Sequence, residues 1–293
     1  MCKKSLIIIL LFPLFFAINL GKVAEAKRIV SLAPSITEIL FLLNLDEQIV
    51  GVTTNCDYPQ KAEKLEKVGL FESPNLEKII SLKPDLVLAP DSGQNSAISR
   101  LRDLNIQTVI LPSQNMKDVF ESIETVGALT DKEKIAKISL YKMQERINKI
   151  KKRVADQPCP RALVIIWATP NTIMTAGRKS FINELINLAG GKNITASIDY
   201  CYPMISPEFV LDKNPDVIIF GNSSNSKEIV KDLLTQPGIR NTRAVRSGRI
   251  YRNLNPDLFL RPGPRLIAGL EEIARILHPN IFITKEEGPD EKT

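Results

Sequence analysis

Histidine is almost absent from this sequence of 293 residues, in which His278 is the sole example. Because His278 follows a predicted helix and precedes Pro279, a helix-end cap explains it better than a ligand or a base. Catalysis that depends on a histidine base is therefore disfavoured. Zinc and manganese sites use several histidines and carboxylates, so we predict no bare-metal site. A metal bound inside its own chelator stays compatible with the sequence.

Three further patterns are missing. No C-x-x-C pair is present, which excludes the common redox and zinc-knuckle motifs, and no G-x-x-x-x-G-K-[ST] loop is present for nucleotide phosphates. The net charge of +6 is spread along the chain rather than gathered in a basic stripe, so we predict no nucleic-acid partner. A secreted hydrolase that uses paired carboxylates in a cleft, or Cys56, is an alternative of another class that the sequence leaves open.

The first 26 residues have the features of an export signal. Two lysines precede a nearly unbroken apolar run over 6–20, and residues 24–26 form an A-x-A cleavage site. The run is shorter than the roughly 20 residues of a membrane-spanning helix, which disfavours a membrane anchor. We therefore predict cleavage before Lys27 and a mature protein that is soluble and lies outside the cytoplasm. Cys2 lies upstream of the run, so we do not expect it to carry a lipid.

A set of motifs occurs twice along the chain, in the same order. The two copies are the segments 38–40 and 184–186, the loops 56–59 and 200–203, and the stretches 76–88 and 207–219. Glu77 lies seven residues before Pro84. Glu208 lies seven residues before Pro215. We infer two similar lobes, and because ligand sites tend to lie between domains, a ligand cleft between them.

Short apolar segments alternate with helical patterns in both halves. The predicted strands are 28–32, 49–52, 86–89, 108–111, 162–167, 217–220 and 249–251. This alternation is typical of parallel sheets that are covered on both faces. Ser35 and Glu38 have the capping-box spacing at a helix start, and Asn75 is the predicted cap of a second helix. The fold class is therefore α/β, with two Rossmann-like lobes.

Residues 130–157 interrupt the alternation with a long helical pattern that lacks glycine and proline until its end. At about 1.5 Å per residue such a helix spans roughly 30 Å or more, enough to cross a domain. It divides the chain into an N-terminal lobe over 27–129 and a C-terminal lobe over 158–284, with a polar, disordered tail over 285–293. A helical connection is stiff, so we expect the lobes to close only slightly around a ligand.

These segments together resemble one family. The segments that carry the resemblance are 28–34, 56–59, 75–77, 83–87, 206–208 and 261–265. They are similar to class III periplasmic substrate-binding proteins of ABC importers for cobalamin, ferric siderophores and haem, and most of all to the cobalamin-binding branch. The resemblance implies two α/β lobes joined by one long backbone helix, a ligand held in the cleft between the lobes, and no enzymatic activity.

The resemblance also implies partners. An inner-membrane permease and its ATPase would receive the ligand, and Glu77 and Glu208 would dock onto arginines of the permease. Ordinary surface glutamates near helix starts are the alternative interpretation of these two residues. The expected ligand is cobalamin or a related corrinoid, with a ferric siderophore or haem as the alternative. We expect no cofactor other than this bound ligand and a monomeric protein.

Four aromatic residues are candidates for the ligand site, because flat ligands suit flat side chains: Tyr58, Phe71, Trp167 and Tyr202. Core packing is the alternative role for each of them. The chain departs from the cobalamin-binding branch at Asn55 and Pro90, which stand where that branch has aromatic residues.

The loop cysteines and polar residues complete the predicted site. Cys56 and Cys201 occupy corresponding loops and are predicted to face each other across the cleft as inert thiols, a disulfide or ligand contacts. With Cys159, the mature chain has three cysteines, so one would stay unpaired if the other two formed a disulfide. The polar candidates for ligand contact are Asn55, Asp57, Asn255, Asp257 and Arg261. Among them, an aspartate is suited to a ligand amide or hydroxyl, and the arginine to an anionic ligand or a neighbouring carboxylate.

Overall fold

The computed structural model describes residues 28–91, 95–221, 227–252 and 254–282. The strands are β1 (Ile29–Ser31), β2 (Ile49–Val52), β3 (Leu86–Pro90), β4 (Thr108–Leu111), β5 (Arg161–Ala168), β6 (Ile173–Thr175), β7 (Lys192–Asn193), β8 (Met204–Ile205), β9 (Val217–Phe220) and β10 (Ile250–Tyr251). The helices are α1 (Pro34–Leu42), α2 (Leu76–Ser81), α3 (Asn95–Asp103), α4 (Met116–Leu129), α5 (Glu133–Val154), α6 (Phe181–Leu188), α7 (Pro207–Lys213), α8 (Lys227–Thr235), α9 (Pro237–Arg240), α10 (Arg243–Arg246), α11 (Asp257–Leu260) and α12 (Leu266–Leu277).

We call the elements β1 to α4 the first lobe and β5 to α12 the second lobe. The predicted signal segment, the cleavage point before Lys27 and the polar tail lie outside the described residues. Within the described ranges, no helix combines the length and the apolar character that a membrane crossing requires.

The first lobe is built on a four-stranded sheet in the order β2-β1-β3-β4, and every pairing in it is parallel. Alternate residues of its strands enter two different cores. Ile29 and Leu88 pack on one face, whereas Val30 and Val87 pack on the other. Burial on both faces explains why these strands are continuously apolar in the sequence. The α/β prediction is confirmed here.

The second lobe has a sheet in the order β10-β9-β5-β6-β8, with β7 also paired to β5. Strands β9 and β10 run parallel to the strands they pair with, as predicted. The short strand β7, which was not predicted, is also parallel, but β6 and β8 are antiparallel. The expectation of a wholly parallel second sheet is therefore wrong at this edge. The reason is a tight turn, in which the Thr169 amide donates to the Thr172 carbonyl at 2.8 Å. Only antiparallel strands can be joined by so short a connection.

The long helix is present as α5, 22 residues from Glu133 to Val154. Its buried side, which includes Leu140, Met143 and Ile147, packs within one continuous core to which both lobes contribute. It contacts α4 of the first lobe and α6 and α12 of the second. Ile138 is apolar but lies on the exposed side of this helix. The helix thus serves as a packed backbone between the lobes rather than a free linker.

The repeated Pro-Asp segments have equivalent structural roles in the two lobes. The amide of Arg28, beside β1, donates to Asp85 Oδ2 at 3.0 Å. At the start of β5, the amide of Arg161 donates to Asp216 Oδ2 at 2.8 Å. In each lobe an aspartate just ahead of one strand thereby binds the beginning of its neighbour. The similarity that the sequence shows between its halves is therefore also a similarity of hydrogen bonding.

Helix capping follows the sequence in part. The Asn75 side chain accepts a hydrogen bond from the Lys78 amide and caps α2, as predicted. The capping box at Ser35 is wrong, because α1 begins at Pro34 and no side chain caps it. Proline needs no amide partner at the first position of a helix. The glutamate of the supposed box, Glu38, is instead directed toward the second lobe.

Candidate ligand-binding site

A cavity of about 450 Å³ lies between the lobes. Its walls are formed by Ala33, Pro34, Ser35, Asn55, Phe71, Glu72, Pro90, Ser113 and Gln114 of the first lobe and by Lys179, Ser180, Phe181, Cys201, Tyr202, Leu260, Arg261 and Pro262 of the second. The first-lobe residues follow the carboxyl ends of parallel strands, which is where α/β sheets commonly bind ligands. The predicted cleft is therefore present, with walls from both halves of the repeat.

Five of the predicted ligand residues line this cavity: Asn55, Phe71, Cys201, Tyr202 and Arg261. Asn55 also positions its neighbour, because its Oδ1 accepts a hydrogen bond from the Phe71 amide at 3.2 Å. Although Tyr202 is 38% exposed, desolvation of its hydroxyl raises the pKa of Tyr202 to about 12, with a smaller effect from Cys201. The Tyr202 hydroxyl is therefore protonated at neutral pH and can donate a hydrogen bond. That these residues touch a ligand stays a prediction.

Cys56 does not line the cavity, which corrects the expectation that it faces Cys201. Its thiol is buried in the first lobe, with Sγ 3.2 Å from Oγ1 of both Thr37 and Thr53. The loop turns this side chain inward, where two hydroxyls satisfy it. Cys56, Cys159 and Cys201 are all free thiols in the described chain, so the disulfide alternative is also wrong.

Three other candidates lie away from the walls that the described residues form. The Tyr58 ring stacks on the guanidinium of Arg265, with 4.0 Å between the guanidinium carbon and the ring centroid. Trp167 pairs with Met174 across β5 and β6 and is exposed on that sheet. Asn255 accepts a hydrogen bond from the Asp257 amide at 3.0 Å. Tyr58 and Asn255 thus contact other residues of the protein, which sequence spacing alone could not predict.

The remaining charged candidates form one cluster between the lobes. Arg261 binds Asp57 of the first lobe, with 3.0 Å between Nη2 and Oδ2, and its Nε lies 2.9 Å from Asp257 Oδ1. Arg265 binds Glu38 with 2.7 Å between Nη2 and Oε1. Asp57 and Asp257 therefore face arginines of the protein, and the charge of Arg261 is partly neutralised beside the cavity. We call these five residues the interlobe cluster.

Glu38 is the most buried member of the interlobe cluster, with its side chain 3% exposed. Burial raises the pKa of Glu38, although the hydrogen bond and charge of Arg265 act in the opposite direction. Glu38 Oε2 has no hydrogen-bond partner among the described residues. The second lobe comes this close because Gly263 has no side chain. A Cβ there would lie 3.2 Å from Ser35 Cα.

We expect the Glu38→Gln substitution to change how stability depends on pH. A pKa that is raised on folding contributes stability below the unfolded value of about 4.3 and loses it as the pH rises through the folded value. The free energy of unfolding of the wild type should therefore fall, relative to that of Glu38→Gln, as the pH rises above about 4.3. Urea unfolding between pH 4 and 8 measures this difference. Glu145→Gln, at an exposed position of α5, is the control. The prediction would be contradicted if the free energy of unfolding had the same pH dependence in Glu38→Gln and in the wild type.

Glu184, which corresponds to Glu38 in the second copy of the repeat, forms another contact between the lobes. Glu184 on α6 accepts a hydrogen bond from the Met116 amide at the start of α4, with 2.9 Å between the amide nitrogen and Oε2. Glu38 and Glu184 occupy equivalent places in the two halves, and each reaches the opposite lobe. Sequence reasoning noticed the repeated motif without assigning it this role. The signal was the recurrence of a glutamate within an otherwise apolar helix face.

Glu77 and Glu208 lie in the first turns of α2 and α7 and are exposed. Neither forms an ion pair with a residue that the structure describes. A hydrogen bond from the Ser206 side chain lowers the pKa of Glu208, so this carboxylate is charged at neutral pH. The same serine caps α7 by accepting from the Phe209 amide. Both glutamates are thus held on capped helices away from the cavity walls.

Within the described ranges, no group of three or more histidine, cysteine, aspartate or glutamate residues is arranged to hold a metal ion. The cavity offers aromatic walls, hydroxyls and amides, two cations, Lys179 and Arg261, and one carboxylate, Glu72. Such a surface suits non-covalent binding of a bulky molecule rather than chemistry on it.

Comparison with known proteins gives consistent matches over most of the chain. A model of the periplasmic binding protein family matches residues 29–254. The uncharacterized ABC transporter substrate-binding lipoprotein YvrC of Bacillus subtilis (strain 168) is 36% identical over 264 residues, which cover 88% of this chain and 82% of that protein.

Two crystal structures are similar to the whole described fold. A possible iron-binding (periplasmic solute-binding) protein from Staphylococcus epidermidis ATCC 12228 has a TM-score of 0.77 at 30% identity, covering 87% of this chain and 99% of that one. The periplasmic vitamin B12 binding protein BtuF of Vibrio cholerae has a TM-score of 0.75 at 28% identity, covering 87% and 98%.

Proposed function

This chain belongs to the periplasmic binding protein family, and from that premise we propose that it captures a corrinoid, cobalamin or a close relative, outside the cytoplasm and delivers it to an ABC importer. Relatives with this fold are substrate-binding proteins of transporters, so the chain is not an enzyme and the hydrolase alternative is abandoned. The cavity between the lobes carries the proposal. An inner-membrane permease and its ATPase are the partners, and the ATPase supplies the energy of transport.

The walls of the cavity match the chemistry of a corrinoid. Phe71 of the first lobe and Phe181 and Tyr202 of the second offer ring surfaces from opposite sides. A flat macrocycle gains apolar contact from such rings. Its peripheral amides need hydrogen-bond partners, and Asn55 and Gln114 supply amide groups in the cavity walls. Binding is non-covalent.

An anionic chelate, either a ferric siderophore or haem, is the second candidate ligand. The observation in its favour is that Lys179 and Arg261 line the cavity, because cations bind carboxylates strongly at a desolvated site. Both cations already have carboxylate partners, Lys179 at 3.1 Å from Asp199 Oδ2 and Arg261 on Asp57. An anionic ligand would therefore have to compete with these pairs, which is why the corrinoid is preferred.

We expect the mature protein to bind cyanocobalamin and cobinamide, and Tyr202→Ala to weaken that binding by about tenfold to a hundredfold, since the loss of one buried aromatic contact costs roughly 1.5–3 kcal/mol. Isothermal titration calorimetry is the suitable measurement, because Trp167 lies away from the cavity and is a poor fluorescent reporter. Tyr200→Ala is the matched control, as Tyr200 is exposed and does not line the cavity.

Haem and a ferric tris-catecholate, which are both anionic, complete the titration. Binding of either one without binding of a corrinoid would transfer the assignment to the anionic chelate, and Lys179→Ala should then weaken it. Failure of all four compounds would contradict the ligand proposal. Export by the segment 1–26, with cleavage before Lys27, belongs to the same proposal, as does docking through Glu77 and Glu208.

A further inference from the structure

The helices α2 and α7 carry the proposed docking glutamates, and we call them the docking helices. Each exposes a branched aliphatic residue one turn after its glutamate. On α2 the pair is Glu77 and Ile80, and Ile80 is 40% exposed. On α7 the pair is Glu208 and Leu211, and Leu211 is 41% exposed. Residues three apart on a helix share a face. We call each glutamate with its aliphatic neighbour a docking pair.

Local packing gives the two docking pairs equivalent surroundings. The residue before each aliphatic is fully buried, Ile79 in the first lobe and Val210 in the second. The caps Asn75 and Ser206 anchor the other end of each helix. Because the helix is fixed at its buried side and at its start, the opposite face points into solvent in both lobes. The exposure of two large apolar side chains at equivalent positions is therefore a repeated feature rather than an isolated one.

We propose that the two docking pairs form the contact surface for the importer's permease, in which each glutamate meets a cationic side chain and each aliphatic residue is buried in an adjoining apolar contact. This rests on the proposed function and extends it, because it assigns a binding role to Ile80 and Leu211. Two equivalent patches on one protein fit a partner that presents the same surface twice, as a two-fold symmetric membrane protein does.

Charge favours this occupant over a second copy of the chain. The carboxylates of Glu77 and Glu208 form no ion pair with described residues, so each is available to a cation. If docking pairs of two copies met, glutamate would face glutamate, and like charges brought together oppose association. An apolar contact beside an unpaired carboxylate therefore indicates a partner with a cationic and apolar surface.

The two members of a docking pair should act on different rate constants. An exposed charge mainly steers the encounter and changes the association rate and its salt dependence. Burial of an aliphatic side chain acts after contact and mainly slows dissociation. The docking pair thus predicts separate kinetic signatures for two residues that lie one helical turn apart.

The experiment compares Ile80→Ala/Leu211→Ala with the wild type for binding to the permease–ATPase complex in lipid nanodiscs, by biolayer interferometry at two salt concentrations. The double variant should bind about tenfold or more weakly, through faster dissociation, with an unchanged salt dependence. Glu77→Gln/Glu208→Gln should instead slow association and flatten the salt dependence. Ile138→Ala on α5 is the matched control, since Ile138 is 56% exposed outside the docking pairs.

Cyanocobalamin titration and a melting curve accompany each variant, and unchanged values exclude misfolding. If the wild type binds the importer and Ile80→Ala/Leu211→Ala binds equally well, the inference is overturned while the proposed function stands. If the wild type does not bind the importer, the proposed function fails and the inference fails with it. A change in self-association of the variants, seen by sedimentation, would assign the surface to a second copy and also overturn it.

Discussion

Reversing the charge of both docking glutamates, as Glu77→Arg/Glu208→Arg, is expected to abolish import while ligand affinity is unchanged. Each substitution would place a cation against the cationic surface that we propose for the permease, and like charges at an interface cost several kcal/mol. At about 1.4 kcal/mol per factor of ten, two such repulsions remove binding at cellular concentrations. Neither residue lines the cavity, so capture of the ligand should not change.

Uptake of labelled cyanocobalamin by cells that carry the variant as their sole copy measures the transport effect, and calorimetry of the purified protein measures ligand binding. Glu124→Arg/Glu145→Arg is the matched control, because both of these glutamates are exposed on α4 and α5 away from the docking helices. Normal uptake in the Glu77/Glu208 variant would refute the docking role. Equal loss in the control would show that net charge, rather than position, limits transport.

Removing the Arg265 side chain, as Arg265→Ala, is expected to lower the free energy of unfolding by about 3–5 kcal/mol at pH 7. The substitution leaves the Glu38 carboxylate buried between the lobes without its guanidinium partner. It also removes the cation that stacks on Tyr58. The loss should be smaller at pH 5, because the stranded carboxyl group then takes up a proton more readily.

Arg275→Ala is the matched control for this prediction. Arg275 lies on the adjoining helix α12 and pairs with Glu272 at 2.8 Å on the surface, where such pairs contribute about 0–1 kcal/mol. Urea unfolding followed by circular dichroism compares the two variants. Equal losses would contradict the prediction. The double substitution Glu38→Leu/Arg265→Met should recover most of the stability, since an apolar replacement strands no charge.

Local patterns predicted the strands β1 to β5, β9 and β10, but not the short strands β6, β7 and β8. Short apolar strands, the long α5 and the cap at Asn75 all follow from the spacing of neighbouring residues, which acts within a few turns of the chain. The internal repeat carried information one level higher, because equivalent segments in two halves imply equivalent lobes. The confirmed α/β fold and the cavity between the lobes both follow from those two kinds of signal.

The errors share a physical cause. Ser35 and Glu38 have the spacing of a capping box, yet Glu38 pairs with Arg265, which is 227 residues away in the chain. Cys56 lies in a loop that corresponds to the loop of Cys201, yet it turns toward two threonines of its own lobe. The antiparallel edge of the second sheet begins at a turn over 169–172, and this turn has no counterpart among the repeated segments of the first half. Each error therefore concerns either a contact with a residue far away in the chain or a feature that only one lobe has.

The amino-acid sequence alone determined the kind of protein: two α/β halves, a stiff helix between them, and one glutamate at the start of an equivalent helix in each half. Hydrophobic periodicity and duplication are properties of the order of residues along the chain, so they can be recognised without knowledge of the fold. Only the tertiary structure decided which charged residues face each other and which face the cavity. Those choices depend on desolvation and close approach between segments far apart in the chain, and spacing along the chain does not encode either of them.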